Sequence, residues 1–192
     1  PNPAKLMTYI AGCKREFKPR ADMQYSCLNY ITLQNIIERI TGQSLRTFAA
    51  NNIFIPLGMK HTDFLPCTSD KSGKLVNTSQ PRWVANGEQA SLTPIAPTEK
   101  QPNGTVKQGQ VHDPLACTLN GGVSGNAGLF SSAEDVATLC AMLQNGGMWG
   151  GKRILSPLTV KAMRSVPRSF NSFGRSLGWD VSSAYASNQG DL

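Results

Sequence analysis

Residues 109–130, GQVHDPLACTLNGGVSGNAGLF, decide how the rest of the chain is read. Gly109, Gly121, Gly122, Gly125 and Gly128 share this stretch with an Asp113-Pro114 step and a few polar side chains, and the run leads straight into an amphipathic segment. A hydrophobic core has no use for that composition. Glycine at this density marks backbone that takes positive φ or lies close against another surface, which is how binding clefts are walled. A plain surface crossover has the same composition.

Downstream of the loop, Ser131 and Ser132 stand three residues before Glu134 and Asp135, overlapping capping boxes. They predict a helix carrying Val136, Leu139, Cys140 and Leu143, closed by Asn145-Gly146-Gly147. Ser156-Pro157 opens another helix, LTVKAMRSV, with Pro at its first position. Leu177 to Ala186 reads as the beginning of a strand.

Upstream, residues 60–108 are polar and rich in Pro, Thr, Ser and Asn. They predict a long excursion with short extended pieces such as Arg82 to Ala85. Before it, YSCLNYITLQNIIERITGQS places Leu28, Ile31, Ile36, Ile37 and Ile40 at helical spacing, with Gly42 as the stop. Ser44 caps a following helix, LRTFAANNIF, expected to bury Leu45, Phe48 and Ile53 and to end at Pro56 and Gly58. A short helix is expected around Ala4 to Ile10, then a basic connection.

Composition bounds the function. The 192 residues are enough for one domain or one large piece of a domain, and 40% hydrophobic residues exclude disorder. No apolar run reaches the roughly 18 residues of a membrane span. The opening PNPAKLMTYIAG lacks the plan of a signal peptide, so the chain reads as a mature product or an excerpt, and the barely begun strand at the C-terminus is a second hint of an excerpt. The net charge of +7 comes from scattered Lys and Arg, with no basic stripe and no aromatic platform, which argues against a nucleic-acid partner. A basic face that meets anionic polymers would show salt-sensitive binding. Cys13, Cys27, Cys67, Cys117 and Cys140 show neither C-x-x-C spacing nor a nearby histidine, so no metal is expected, and an odd, scattered count argues against a disulfide framework.

Three catalytic patterns fail on spacing. GVSGN around Ser124 has its second glycine one place too early for a nucleophile elbow, and no strand precedes it. His112 and Asp113 are adjacent, and neighbours on a backbone rarely face each other as base and orienter. The glycines from Gly122 to Gly128 follow no apolar strand, against a phosphate cradle.

Tyr25-Ser26-Cys27-Leu28-Asn29-Tyr30 at a helix start, followed by ITGQSLRTFAANNIFIPLGMKHTDF, resembles serine hydrolases of the β-lactamase and penicillin-binding type. IAPTE (95–99), VHDPLA (111–116), GGVSGNAGLFSSAEDVATLCAMLQNGG and KRILSPLTV resemble the esterase-like branch of that superfamily. The resemblance covers nearly the whole chain. It implies an α+β, β-lactamase/transpeptidase-like fold, of which residues 1–192 would form a partial domain: mainly the helical lobe and cleft loops, with little of the antiparallel sheet.

In the family, a serine of a Ser-x-x-Lys motif attacks a carbonyl, and the lysine with the tyrosine of a Tyr-x-Asn motif manages its proton. The resemblance therefore implies a catalytic role for Tyr25, whose phenol can serve only if neighbouring cations favour the phenolate. It implies substrate contacts at Cys27, where the family usually has an amide or carboxylate, and at Asn126, where related loops often carry histidine. A thiol is a poor substitute for an amide in hydrogen bonding. No serine of this chain has lysine three residues on, and no Lys-Thr-Gly or His-Thr-Gly triplet occurs. The expectation is the middle of a serine hydrolase, inactive alone, acting when whole on an ester, β-lactam or cell-wall peptide without metal or organic cofactor. Its partners would be that substrate and complementary fragments of the same protein, and its place the periplasm or cell envelope. The alternatives are a non-catalytic member that binds a peptidoglycan-like ligand, and a basic surface-interaction module.

Overall fold

The computed structural model describes residues 2–19, 21–85, 95–166, 174–181 and 183. They belong to two compact units, Pro1–Cys13 with Ser26–Val136, and Lys14–Tyr25 with Ala137–Leu192.

In the first unit, α1 (Pro3–Gly12) starts on an Asn2 cap whose Oδ1 accepts from Lys5 N at 3.0 Å. Helix α2 (Cys27–Thr41) is capped by Ser26, and Gly42 stops it at φ 67°, a conformation that costs glycine nothing. The buried face of α2 takes only part of its apolar set. Ile31 and Gln34 are buried, whereas Ile36 and Ile40 are exposed, Ile40 by 80%. The periodicity is helical, but the polar side of the helix faces the unit because the glycine loop offers backbone groups that need partners there.

Helix α3 (Leu45–Ala49) starts on Ser44, continues through a π-helical turn at Ala50–Phe54 and ends in α4 (Ile55–Leu57). Pro56 therefore lies inside this rod rather than ending it, and the stop is Gly58. The wider turn precedes a residue that has no N–H to give. The turn also rotates the buried face to Ala49, Ala50, Phe54 and Leu57, leaving Leu45, Phe48 and Ile53 only half-buried.

The excursion that follows holds more regular structure than its composition predicts. Strand β1 (Asp63–Phe64) leads to a hairpin of β2 (Cys67–Ser69) and β3 (Leu75–Asn77) in register Cys67↔Asn77. Arg82–Ala85 is a helix, α5, not an extended piece. Its first free N–H, that of Arg82, donates to the buried carboxylate of Asp63 at 2.9 Å, a cap supplied from far along the chain. Asp63 also takes a forked pair from Arg46, at 3.0 and 2.7 Å. A second hairpin joins β4 (Glu99–Lys100) to β5 (Val106–Lys107). After a π-helical turn at Leu115–Leu119, β6 (Leu129–Phe130) pairs antiparallel with β1, Asp63 opposite Phe130. Helix α6 (Ala133–Gln144) then begins where the capping boxes predict, with Ser132 Oγ accepting from Asp135 N at 3.2 Å.

In the second unit the later part of α6 buries Met142, a hairpin joins β7 (Met148–Trp149) to β8 (Lys152–Arg153), and α7 (Pro157–Arg164) starts on Ser156 with Pro157 at its head. Arg175 and Asp180 close a tight turn through Gly178, so the described part of 177–186 is a turn and not a strand; Ser182 and residues 184–186 lie outside the described residues.

Candidate active-site region

The glycine loop is held by α2. Gly125 lies so close to the helix that a Cβ there would come 2.1 Å from Tyr30 O, and Gly122, at φ 82°, so close to the β1–β2 link that its Cβ would meet Leu65 O at 2.5 Å. The glycines of this stretch thus serve the seating of the loop on its neighbours.

The seat is polar. Buried Gln34 has both ends of its amide saturated. Its Oε1 accepts from Asn120 Nδ2 at 2.8 Å and from Gly125 N at 2.9 Å. Its Nε2 donates to Val123 O at 3.2 Å and to Glu38 Oε1 at 3.1 Å. Asn120 Nδ2 also donates to Ser124 Oγ at 2.8 Å, and Ser124 Oγ donates to Asn126 Oδ1 at 2.6 Å. Asn126 Nδ2 then donates to Asp113 Oδ1 at 3.2 Å, which accepts from Ala116 N at 2.8 Å as well. One chain of hydrogen bonds therefore runs from α2 through the loop to the Asp-Pro step; its buried members, Gln34, Asn120 and Ser124, make it costly to break.

Ser124 is 1% exposed and engaged at both ends, which suits a structural hydroxyl and not a nucleophile. His112 and Asp113 point to different partners. Asp113 faces Asn126, while His112 Nε2 lies 3.7 Å from Glu99 Oε2. Lys107 Nζ, 3.0 Å from Glu99 Oε2, holds the Glu99 carboxyl below the ordinary carboxylate range.

Of the residues singled out by sequence, Cys27 and Asn126 belong to the first unit and Tyr25 to the second. Cys27 is the first residue of α2 and half-buried. Asn126 is half-buried with both amide ends used in the loop, and among the described residues no hydrogen bond joins it to Cys27. Tyr25 is exposed, directly before the α2 cap, and the Arg175 guanidinium lies 5.6 Å from its ring centroid. Arg175 also pairs with Asp180 at 2.9 Å.

Sequence reasoning missed a cavity of about 1150 Å³ in the first unit, walled by His61, Trp83, Val111, His112, Asp113 and Phe130, among others. Both histidines of the chain line it, and His61 leans on Trp83 with ring centroids 6.2 Å apart. Its lining includes none of Tyr25, Cys27 and Asn126, although it runs along Ala127–Ser132 just beyond Asn126. Joint placement of the two histidines is a long-range property that spacing along the chain does not carry. Beneath it Thr62 Oγ1 and His61 N both donate to Asp135 Oδ2, at 2.7 and 2.8 Å. Among the described residues no group of three or more His, Cys, Asp or Glu is placed to hold a metal ion, and no helix is long and apolar enough to cross a membrane.

Residues 1–189 match the Beta-lactamase family. A protein of Escherichia coli O157:H7 named "Putative D-alanyl-D-alanine carboxypeptidase" is 35% identical over 170 residues, 86% of this chain and 36% of that protein. Among solved structures, a D-stereospecific amidohydrolase from Streptomyces sp. superposes with a TM-score of 0.56 at 16% identity, over 92% of this chain and 44% of that one. The octameric penicillin-binding protein homologue from Pyrococcus abyssi superposes with a TM-score of 0.50 at 20% identity, over 85% of this chain and 30% of that one. The chain therefore belongs to the Beta-lactamase family and has an α+β, β-lactamase/transpeptidase-like fold. It spans 36% of the length of the carboxypeptidase-named relative.

Proposed function

We propose that this chain is a central part of a serine hydrolase that works through an acyl-enzyme, with Tyr25 as the residue that moves the nucleophile's proton. The observation that carries this reading is Tyr25 itself: an exposed phenol at the family's motif position, with a guanidinium 5.6 Å from its ring. A phenol at that motif position is a group able to take a proton from an attacking hydroxyl and pass it on. A peptide or amide ending in a D-amino acid is the substrate class favoured by the carboxypeptidase and amidohydrolase names of the similar proteins, with esters and β-lactams as related acyl donors. A cell-wall peptide of that class would be met in the periplasm or at the envelope, the location this reading proposes. Cys27 and Asn126 remain its proposed substrate contacts, Asn126 through the loop that it braces.

Residues 1–192 form a partial domain in this reading. Helix α2 exposes Tyr30, Leu33, Ile36 and Ile40, a stripe on which complementary parts of the same protein would pack. No serine here is followed by lysine at the third place, so this chain alone is expected to be inactive. A second reading, binding of a peptidoglycan-like ligand without turnover, is favoured by the thiol of Cys27 at an amide position.

The test is hydrolysis of nitrocefin, a p-nitrophenyl ester and a D-alanyl-D-alanine peptide. The chain alone should turn over none of them; turnover abolished by Tyr25→Phe would refute its inactivity. A protein of the relatives' full length that carries Ser-x-x-Lys should be active and lose about 10²–10⁴ in kcat on Tyr25→Phe. Unchanged kcat in that variant would remove Tyr25 from the mechanism, and absence of turnover with retained peptide binding would establish the second reading.

A further inference from the structure

The first unit brings together two cysteines that stand 50 residues apart in the chain. Cys67 opens β2, and Cys117 lies in the π-helical turn at Leu115–Leu119. Both are buried in one apolar cluster with Val111 and Ala116, whereas Cys13 and Cys140 are exposed and Cys27 half-buried. The Cys67 thiol donates to Cys117 O at 3.7 Å. The backbones that carry them are tied together: Cys67 N donates to Gly121 O at 2.8 Å, and Gly122 N donates to Ala116 O at 2.8 Å. Gly122 leaves the Cys67 side chain its space, since a Cβ at that glycine would come 3.1 Å from the sulfur.

We propose that Cys67 and Cys117 form a disulfide site that staples the start of the polar excursion to the head of the glycine loop. This reading is independent of the hydrolase assignment. Each thiol gives up a proton and the pair gives up two electrons as the S–S bond forms. A low-molecular-weight disulfide such as oxidised glutathione takes them by exchange and leaves as two thiols. Burial and the neighbouring Cys117 push the Cys67 thiol up to about 11, so almost no thiolate exists in the folded, reduced chain at neutral pH. The bond therefore forms while the chain folds, and once buried it resists external reductants until the unit opens. The closed loop contains Trp83 and Val111, so the same bond steadies walls of the cavity.

The test refolds the denatured, reduced chain with oxidised and reduced glutathione, blocks remaining thiols with iodoacetamide and maps peptides without reduction. The expected result is one linked peptide pair holding Cys67 and Cys117, with Cys13, Cys27 and Cys140 alkylated. The linked chain should melt higher than the reduced one by roughly 5–15 °C, the range for a loop of this length in a domain of this size. Five alkylated thiols in a folded chain, a linkage through Cys13, Cys27 or Cys140 instead, or a linked chain that melts no higher would each overturn the proposal. The Cys117→Ala variant should lose both the linkage and the melting increment. If that variant does not fold, the linkage map of the unaltered chain decides alone.

Discussion

Replacing Gln34 by leucine tests whether α2 is held by its polar face. The substitution keeps the side chain's approximate volume and adds apolar surface at a buried position, so hydropathy alone predicts a gain in stability. The geometry predicts a loss. Gly125 N and Val123 O lose their amide partner, and Asn120 Nδ2 keeps only its bond to Ser124. Glu38 Oε1 is spared, because Leu45 N still donates to it at 2.9 Å. A buried donor or acceptor left without a partner costs about 1–3 kcal/mol, so two orphaned groups and one weakened one give about 3–5 kcal/mol. Leucine burial offsets part of this, leaving a net loss of about 2–4 kcal/mol. For a chain of this size that lowers Tm by roughly 4–16 °C. Urea titration followed by far-UV circular dichroism measures it directly, with Ile40→Gln as the companion variant. Ile40 is 80% exposed, so that change should stay within about 0.5 kcal/mol although it removes an isoleucine from the helix. A Gln34→Leu variant within 1 kcal/mol of the unaltered chain, or an Ile40→Gln variant that loses more, would refute the assignment of the buried face.

Three further outcomes follow from the same packing. Gly125→Ala drives a methyl group into the Tyr30 carbonyl, and the backbone cannot yield without lifting the loop; a loss of at least 1–3 kcal/mol is expected by the same titration, and a neutral result would mean that the loop does not sit on α2. Asp63→Ala strips Arg46 and Arg82 N of a fully buried carboxylate and should cost about 3–5 kcal/mol, whereas Asp180→Ala at the more exposed Arg175 pair should cost far less; equal losses would contradict the assigned burial. In the reduced chain the folded Cys67 thiol holds its proton up to about pH 11 and the unfolded one only to its ordinary 9.0. The associated stability is therefore complete below pH 9 and drains away as pH rises toward 11, by at most on the order of 2–3 kcal/mol. Thermal melts across that range should show a decline that Cys67→Ala lessens, and identical declines in the two chains would exclude the thiol as its source.

The local grammar of this chain was legible without coordinates. Gly42 ends α2, Ser44 starts α3, Ser132 caps α6 and Pro157 heads α7, because caps and stops depend on side chains within a few residues of the backbone they serve. The motif around Tyr25 and the glycine stretch carried the family and the fold class for the same reason: they are contiguous signatures. What spacing could not supply is which face of a helix is buried. Five apolar residues on α2 predicted one stripe, and a partner segment some 90 residues away, with unsatisfied N–H and C=O groups, selected the side that bears Gln34. Arg82–Ala85 became helical because Asp63 caps it across 19 positions, and the meeting of Cys67 with Cys117, like the shared cavity wall of His61 and His112, exists only once the excursion has folded back. Sequence alone determined the starts and stops of these helices and the family, since both are written in neighbouring residues. Tertiary structure alone decided the buried face of α2, the braced position of Asn126 and the paired cysteines, since each is set by hydrogen bonds or burial between residues that the chain itself keeps far apart.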